Sequence, residues 1–310
     1  MLTKRDVITL ASLAALCAAL PARQALAQSP APMPVVASFS ILGDLARQIG
    51  GSRVAVAELI GPDQDAHGFQ PSPTDARKLT GAKVILINGL GFEGYMDRLV
   101  KASGSKARPT VLSEGASLMA KDKTKSGHDH DHGSAGNDPH AWQSVANARI
   151  YARNIARAFS EADPAGKGDY ETNLASYTAR LDALAAEIKA TLDKLPADRR
   201  SVVTAHNAFR YLARDTGLTF HALQGVSAES EPSAADMARI IRQLKTLKAP
   251  AAFLENVTDP RKIQQITTES GARIGGTLYS DALSLANGPA PTYIDMMRHN
   301  MREIAKALSP

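Results

Sequence analysis

The sequence is almost without cysteine: a single thiol, Cys17, stands in 310 residues. It lies within residues 1–27, which have the layout of a secretory leader. Lys4 and Arg5 make a basic start, 7–20 is an apolar run, and Ala25 and Ala27 are the small residues of a cleavage site before Gln28. An acylated cysteine needs a small residue before it, and Leu16 is bulky. The expectation is therefore a signal peptide cleaved after Ala27, releasing a soluble product. Such a product has no thiol, which excludes disulfides and cysteine ligation. Any site for a borderline-soft ion must then be built from His, Asp and Glu.

Strong charge is missing as well. The formal net charge is +5, and loss of Lys4, Arg5, Arg23 and Asp6 with the leader lowers it to +3. That is too small and too scattered to suggest nucleic acid as a partner. Nor is there a membrane span. The leader's apolar run is too short for one, and no second run is long enough. Action at a membrane would go through a partner, without direct insertion.

About 280 residues remain after the leader, enough for two lobes. The first half alternates strands and helices. Short apolar runs cover 34–39, 54–59, 84–88 and 110–112, with helical spacing over 41–49 and a helix opened by Ser72-Pro73-Thr74-Asp75. Continuous apolar runs such as Val84-Ile85-Leu86-Ile87 suit parallel strands buried on both faces. Helices are expected over 143–161 and 170–195. The second places Leu174, Tyr177, Leu181, Leu184, Ile188 and Leu192 at three- and four-residue steps. The alternation then resumes. Strands are expected over 201–205, 219–223, 251–254 and 273–278, and helices from about 208, over 234–247, between the last two strands, and over 293–308.

The fold class is therefore α/β: two lobes, each with a roughly four-stranded, mainly parallel sheet flanked by helices, joined by one long rigid helix. The expected boundaries are 28–165 for the N-terminal lobe, 166–195 for the linking helix and 196–310 for the C-terminal lobe. Residues 120–139 form a flexible, biased loop in the first lobe. It holds His128, Asp129, His130, Asp131 and His132.

Three histidines and one aspartate stand where a strand or loop meets a helix. His67 follows the second strand, His140 lies between the Asp/His loop and a helix, His206 ends the strand over 201–205, and Asp281 follows the last strand. Two fall in each half, the placement of a site between lobes. A lone histidine is more often structural than a ligand, and His221 and His299 are read as structural. Glu229 and Glu231 precede a helix and favour its N-terminus. Trp142 is read as packing. Asn207 is read as a partner for the second ring nitrogen of a ligating histidine.

The motifs carry a resemblance. Gly61-Pro62-Asp63-Gln64-Asp65-Ala66-His67-Gly68-Phe69-Gln70-Pro71-Ser72-Pro73, Asn88-Gly89-Leu90-Gly91-Phe92-Glu93, Asp138-Pro139-His140-Ala141-Trp142, Glu231-Pro232-Ser233 and Tyr279-Ser280-Asp281 resemble the zinc- and manganese-type substrate-binding proteins of metal ABC transporters. The likeness runs from about Val35 to the C-terminus, with the motifs in the family's order. It implies that His67, His140, His206 and Asp281 are the four metal ligands. It also implies a periplasmic, non-enzymatic protein that hands its ion to an ABC permease, with a zinc chaperone as a further partner and a monomeric state.

Manganese-type relatives usually carry glutamate at the third ligand position, where this chain has His206. Three imidazoles and one carboxylate suit Zn²⁺, whereas Mn²⁺ prefers more oxygen. Cu²⁺ and Ni²⁺ would also bind such a donor set in vitro. The Asp/His loop is read as an accessory collector, as in zinc-specific relatives. The histidines must be neutral to bind, so affinity is expected to weaken as pH falls through about 6.5. The rival reading is a zinc hydrolase. Against it, the chain has no His-Glu-x-x-His motif, and four protein ligands would close the coordination shell.

Overall fold

The structure is a computed structural model that describes residues 31–121, 136–225, 234–246 and 251–309. The leader, the tract from His128 to His132, and Glu229, Glu231, Pro232 and Ser233 lie outside the described residues.

In the first half, β1 (Met33–Phe39), β2 (Val54–Ile60), β3 (Val84–Ile87) and β4 (Pro109–Val111) form a wholly parallel sheet in the order β2-β1-β3-β4. In the second half, β5 (Ser201–Thr204), β6 (Thr219–Ala222), β7 (Ala251–Glu255) and β8 (Arg273–Leu278) repeat it as β6-β5-β7-β8. In each sheet the chain reverses its direction of travel between the two central strands. A crevice therefore opens beyond their carboxyl ends, where open α/β sheets bind ligands.

The connecting helices are α1 (Ser40–Gly50), α2 (Pro73–Thr80), α3 (Met96–Ser103), α4 (Val145–Ala162), α5 (Lys167–Leu192), α6 (Arg210–Thr216), α7 (Ala234–Thr246), α8 (Pro260–Ser270) and α9 (Tyr293–Leu308). α2 opens on a full capping box: Ser72 accepts from Asp75 N, and the Asp75 carboxylate accepts from Ser72 N. Helix α3 is absent from the sequence reading. It is eight residues long and buries only Met96 and Leu99, too short a stretch to display a helical period.

α5 runs for 26 residues, a span of about 39 Å. It buries Tyr170, Tyr177, Leu181, Leu184, Ile188 and Leu192. It packs against α1, α4 and α9, and α9 packs in turn on β8. One continuous core accordingly includes Leu42 of α1, Phe159 of α4, Leu181 of α5 and Ile304 of α9. A smaller cluster of Val203, Ala252, Ile240, Leu244, Ile263 and Ile266 fills the space between β5, β7, α7 and α8. One face of the strut thus packs on the core from Tyr170 to Leu192. Among the described residues, no helix is long and apolar enough to cross a membrane.

Candidate metal centre

Each half contributes side chains from the carboxyl ends of its strands. In the second half the chain leaves β5 through Ala205 and His206. Glu255, the last residue of β7, accepts from both backbone N–H groups through Oε1, at 2.8 and 3.0 Å. Its other oxygen lies 2.6 Å from His206 Nδ1. One buried carboxylate thus fixes both the turn and the ring. Beyond β8, Asn300 brackets Tyr279, donating to its carbonyl at 2.8 Å and accepting from its N–H at 2.9 Å. Ser280 O then accepts from Trp142 Nε1 at 2.9 Å and from Gln143 Nε2 at 2.6 Å. Asp281 follows, fully buried.

In the first half, His140 follows Asp138 and Pro139. Asp138 Oδ1 accepts from His140 N at 3.0 Å and lies 2.8 Å from His140 Nδ1. Its Oδ2 faces Arg210 of α6 at 3.3 Å. Asn88, at the end of β3, donates to Pro139 O at 2.9 Å. His67 lies in the connection from β2 to α2, where Asp65 Oδ1 accepts its N–H at 2.9 Å. The ring of Phe92 meets His67 edge-on at 5.1 Å, and Trp142 meets His140 at 5.3 Å. Trp142 is fully buried, so its packing role holds, but it also holds the backbone next to Asp281.

The four residues singled out by sequence come together. His67, His140, His206 and Asp281 each offer a ligand atom, and all these atoms lie within 4.8 Å of one another. Asp281 Oδ2 is 3.0 Å from His206 Nε2 and 3.3 Å from His67 Nε2, and its Oδ1 is 3.6 Å from His140 Nε2. A tetrahedral ion with bonds of about 2.0–2.1 Å separates its ligands by about 3.3 Å. The three Nε2 atoms and both Asp281 oxygens are buried without hydrogen-bond partners, an arrangement that a cation satisfies.

Electrostatics agree with this geometry. Burial would lift the Asp281 carboxyl, but the His206 and His140 rings hold it well below the usual carboxylate range. Burial opposes charge on His206, yet the Glu255 and Asp281 carboxylates outweigh it and raise the ring well above the ordinary imidazole value.

His221 lies on β6 and His299 on α9, both outside the cluster. His299 Nε2 lies 2.9 Å from Thr277 O, a structural contact. The expected role of Asn207 goes to another residue: the group facing His206 Nδ1 is Glu255, which the sequence reading overlooked. The available signal was a carboxylate one residue past the expected strand over 251–254, at the carboxyl end of a central strand. Asp138 was visible as part of a motif, but its role behind His140 was not.

Replacing Glu255 by Ala would strand two buried N–H groups and remove the partner of His206 Nδ1. The expected outcome is a loss of about 1–3 kcal/mol in stability and about 10–100-fold in metal affinity. Denaturant unfolding and chelator competition measure the two effects separately.

Comparison with known proteins places these features in a family. Residues 35–307 match the family described as zinc-uptake complex component A, periplasmic. The iron-binding protein YfeA of Yersinia pestis is 33% identical over 272 residues, covering 88% of this chain and 85% of that one. The manganese ABC transporter substrate-binding lipoprotein PsaA of Streptococcus mitis is 28% identical, covering 91% of each. The solved periplasmic zinc-binding protein TroA of Treponema pallidum has a TM-score of 0.82 at 28% identity, covering 90% of this chain and all of that one. Two four-stranded parallel sheets with a long linking helix are the fold shared with that structure. Members of the family are transport proteins rather than enzymes. The chain belongs to this family and is an extracytoplasmic, metal-binding, substrate-binding component of an ABC transporter, with a membrane permease as its partner.

Proposed function

We propose that the cargo is Zn²⁺, held by His67, His140, His206 and Asp281 and delivered to the permease. The observation that carries this reading is the convergence of three imidazole nitrogens on one buried carboxylate. Spacing alone would serve several divalent ions. The donor set is what favours zinc, since Mn²⁺ prefers more oxygen ligands and a higher coordination number. Relatives are named for iron, manganese and zinc alike, so this reading rests on the ligand chemistry. In this reading the leader is cleaved after Ala27 and the product is soluble, because Leu16 before Cys17 disfavours acylation, and the protein acts as a monomer. A periplasmic chaperone is the proposed zinc donor.

The tract of His128, Asp129, His130, Asp131 and His132 is proposed as a weak collector that loads the tight site. Support comes from its two ends. Lys121 N donates to Gly136 O at 2.9 Å, and Ala120 pairs with Asn137, immediately before the Asp138 that supports His140. Residues 120, 121, 136 and 137, on either side of the stretch that carries it, are thus paired just before Asp138. Deleting residues 127–133 is expected to slow zinc loading and leave one tight site, as read by stopped-flow uptake and by metal stoichiometry.

Metal binding must expel the proton from any charged imidazole among the ligands. The Glu255 and Asp281 carboxylates raise His206 well above the usual imidazole value, so a proton competes with the ion there. Affinity is therefore expected to weaken as pH falls. The number of protons released per ion should fall as pH rises. Calorimetry in buffers of different ionisation enthalpy measures that number.

His206→Glu replaces a nitrogen donor by an oxygen donor. Zn²⁺ affinity should fall by at least about tenfold relative to Mn²⁺, as read by competition titration with both metals. An unchanged ratio would count against the zinc assignment.

A further inference from the structure

Three of the four side chains in the centre have anchors behind them. His140 rests on Asp138, His206 on Glu255, and the backbone before Asp281 on Trp142 and Gln143. All three are fully buried. His67 is different. It sits in a connection between elements, its side chain retains 9% exposure, and its N–H is held by Asp65 from the same connection.

Asp63 ties that connection to the opposite half. Its N–H donates to Leu283 O at 2.8 Å. Its Oδ1 accepts from Asn256 Nδ2 at 3.0 Å, and its Oδ2 accepts from Leu285 N at 3.2 Å. Asn256 directly follows Glu255, the residue behind His206, and Leu283 and Leu285 lie just past Asp281. Asp63 thus joins the His67 connection to the segment that carries Asp281 and to the one that carries Glu255, the residue behind His206. The backbone is adapted to this: Asp63 has φ 54°, a left-handed conformation that aspartate tolerates better than most residues. Asp63 is also exposed, so water competes for both bonds and keeps each of them weak and quickly broken.

We propose that Asp63 is a latch: its bonds to Asn256 and Leu285 position the His67 connection over the centre and set the rate at which the ion enters and leaves. Opening at Asp63 frees the least buried ligand while His140, His206 and Asp281 stay on their anchors. This proposal rests on the metal-capture reading above and adds to it the route of exchange.

The test uses Zn²⁺ as the probe, with release into an excess of fluorescent chelator and loading from free Zn²⁺, both followed by stopped flow. Asp63→Gly keeps the left-handed backbone but removes both acceptor oxygens. It should speed release and loading together by about tenfold, with Kd moving by less than about threefold. Asp63→Asn keeps one acceptor oxygen and should fall between Asp63→Gly and wild type. Asn256→Ala should speed exchange by itself but add little in the Asp63→Gly background, since the two share a bond. Zn²⁺ exchange at wild-type rates in Asp63→Gly overturns the latch while leaving the metal centre standing. A wild-type protein that takes up no Zn²⁺ overturns the capture reading, and the latch with it.

Discussion

The centre depends on the contact between a buried imidazole Nδ1 and the carboxylate behind it. At His140 that carboxylate is Asp138, and at His206 it is Glu255. A carboxylate facing Nδ1 keeps the proton on that nitrogen and turns the Nε2 lone pair toward the ion. Without such a partner a buried ring could flip or change tautomer, and a ligand would be lost. The same carboxylates also hold backbone. Glu255 accepts from Ala205 N and His206 N, and Asp138 from His140 N. Ring orientation and loop path are therefore set by one group at each position, and disturbing either disturbs both.

Those contacts need a fixed frame. The strut α5 supplies it, because its apolar face lies in a core continuous with α1, α4 and α9. A 26-residue helix with one face packed on the core from Tyr170 to Leu192 does not bend as a hinge would. Polar contacts between the halves add to it near the site. Tyr211 OH donates to Asp138 O at 2.7 Å, Tyr293 OH donates to Trp142 O at 2.8 Å, and Leu283 N donates to Ser40 Oγ at 3.0 Å. With the halves joined so closely, exchange of the ion by movement of one connection disturbs far fewer buried contacts than separation of the halves. A frame this stiff favours local opening.

Much of this was legible in the sequence, for definite reasons. Parallel strands buried on both faces leave uninterrupted apolar runs, as in Val84–Ile87, and all eight observed strands lie within a residue of the expected ones. The strut showed itself by a long helical period. The four converging residues were visible because strand ends and motif residues are local features. What was not legible came from long-range pairing. Glu255 and His206 are 49 residues apart and meet only because β5 and β7 are neighbours in the sheet. Asp63 and Asn256 lie 193 residues apart, and nothing local to either predicts their bond. Helix α3 was missed because two buried apolar residues do not make a period.

Charge sets a further condition on the cargo. Asp281 and Glu255 are both buried beside His206, while Asp138 has Arg210 as a counter-charge. With the three imidazoles neutral, the pair Asp281 and Glu255 leaves two negative charges out of water. A divalent ion balances them. A monovalent ion would leave one carboxylate uncompensated, and a trivalent ion would leave excess positive charge. Either residue of charge is costly in a buried site. The same two carboxylates raise His206 well above the ordinary imidazole value. Proton and metal therefore compete for one nitrogen, and acidification favours release by the same balance that favours capture at neutral pH.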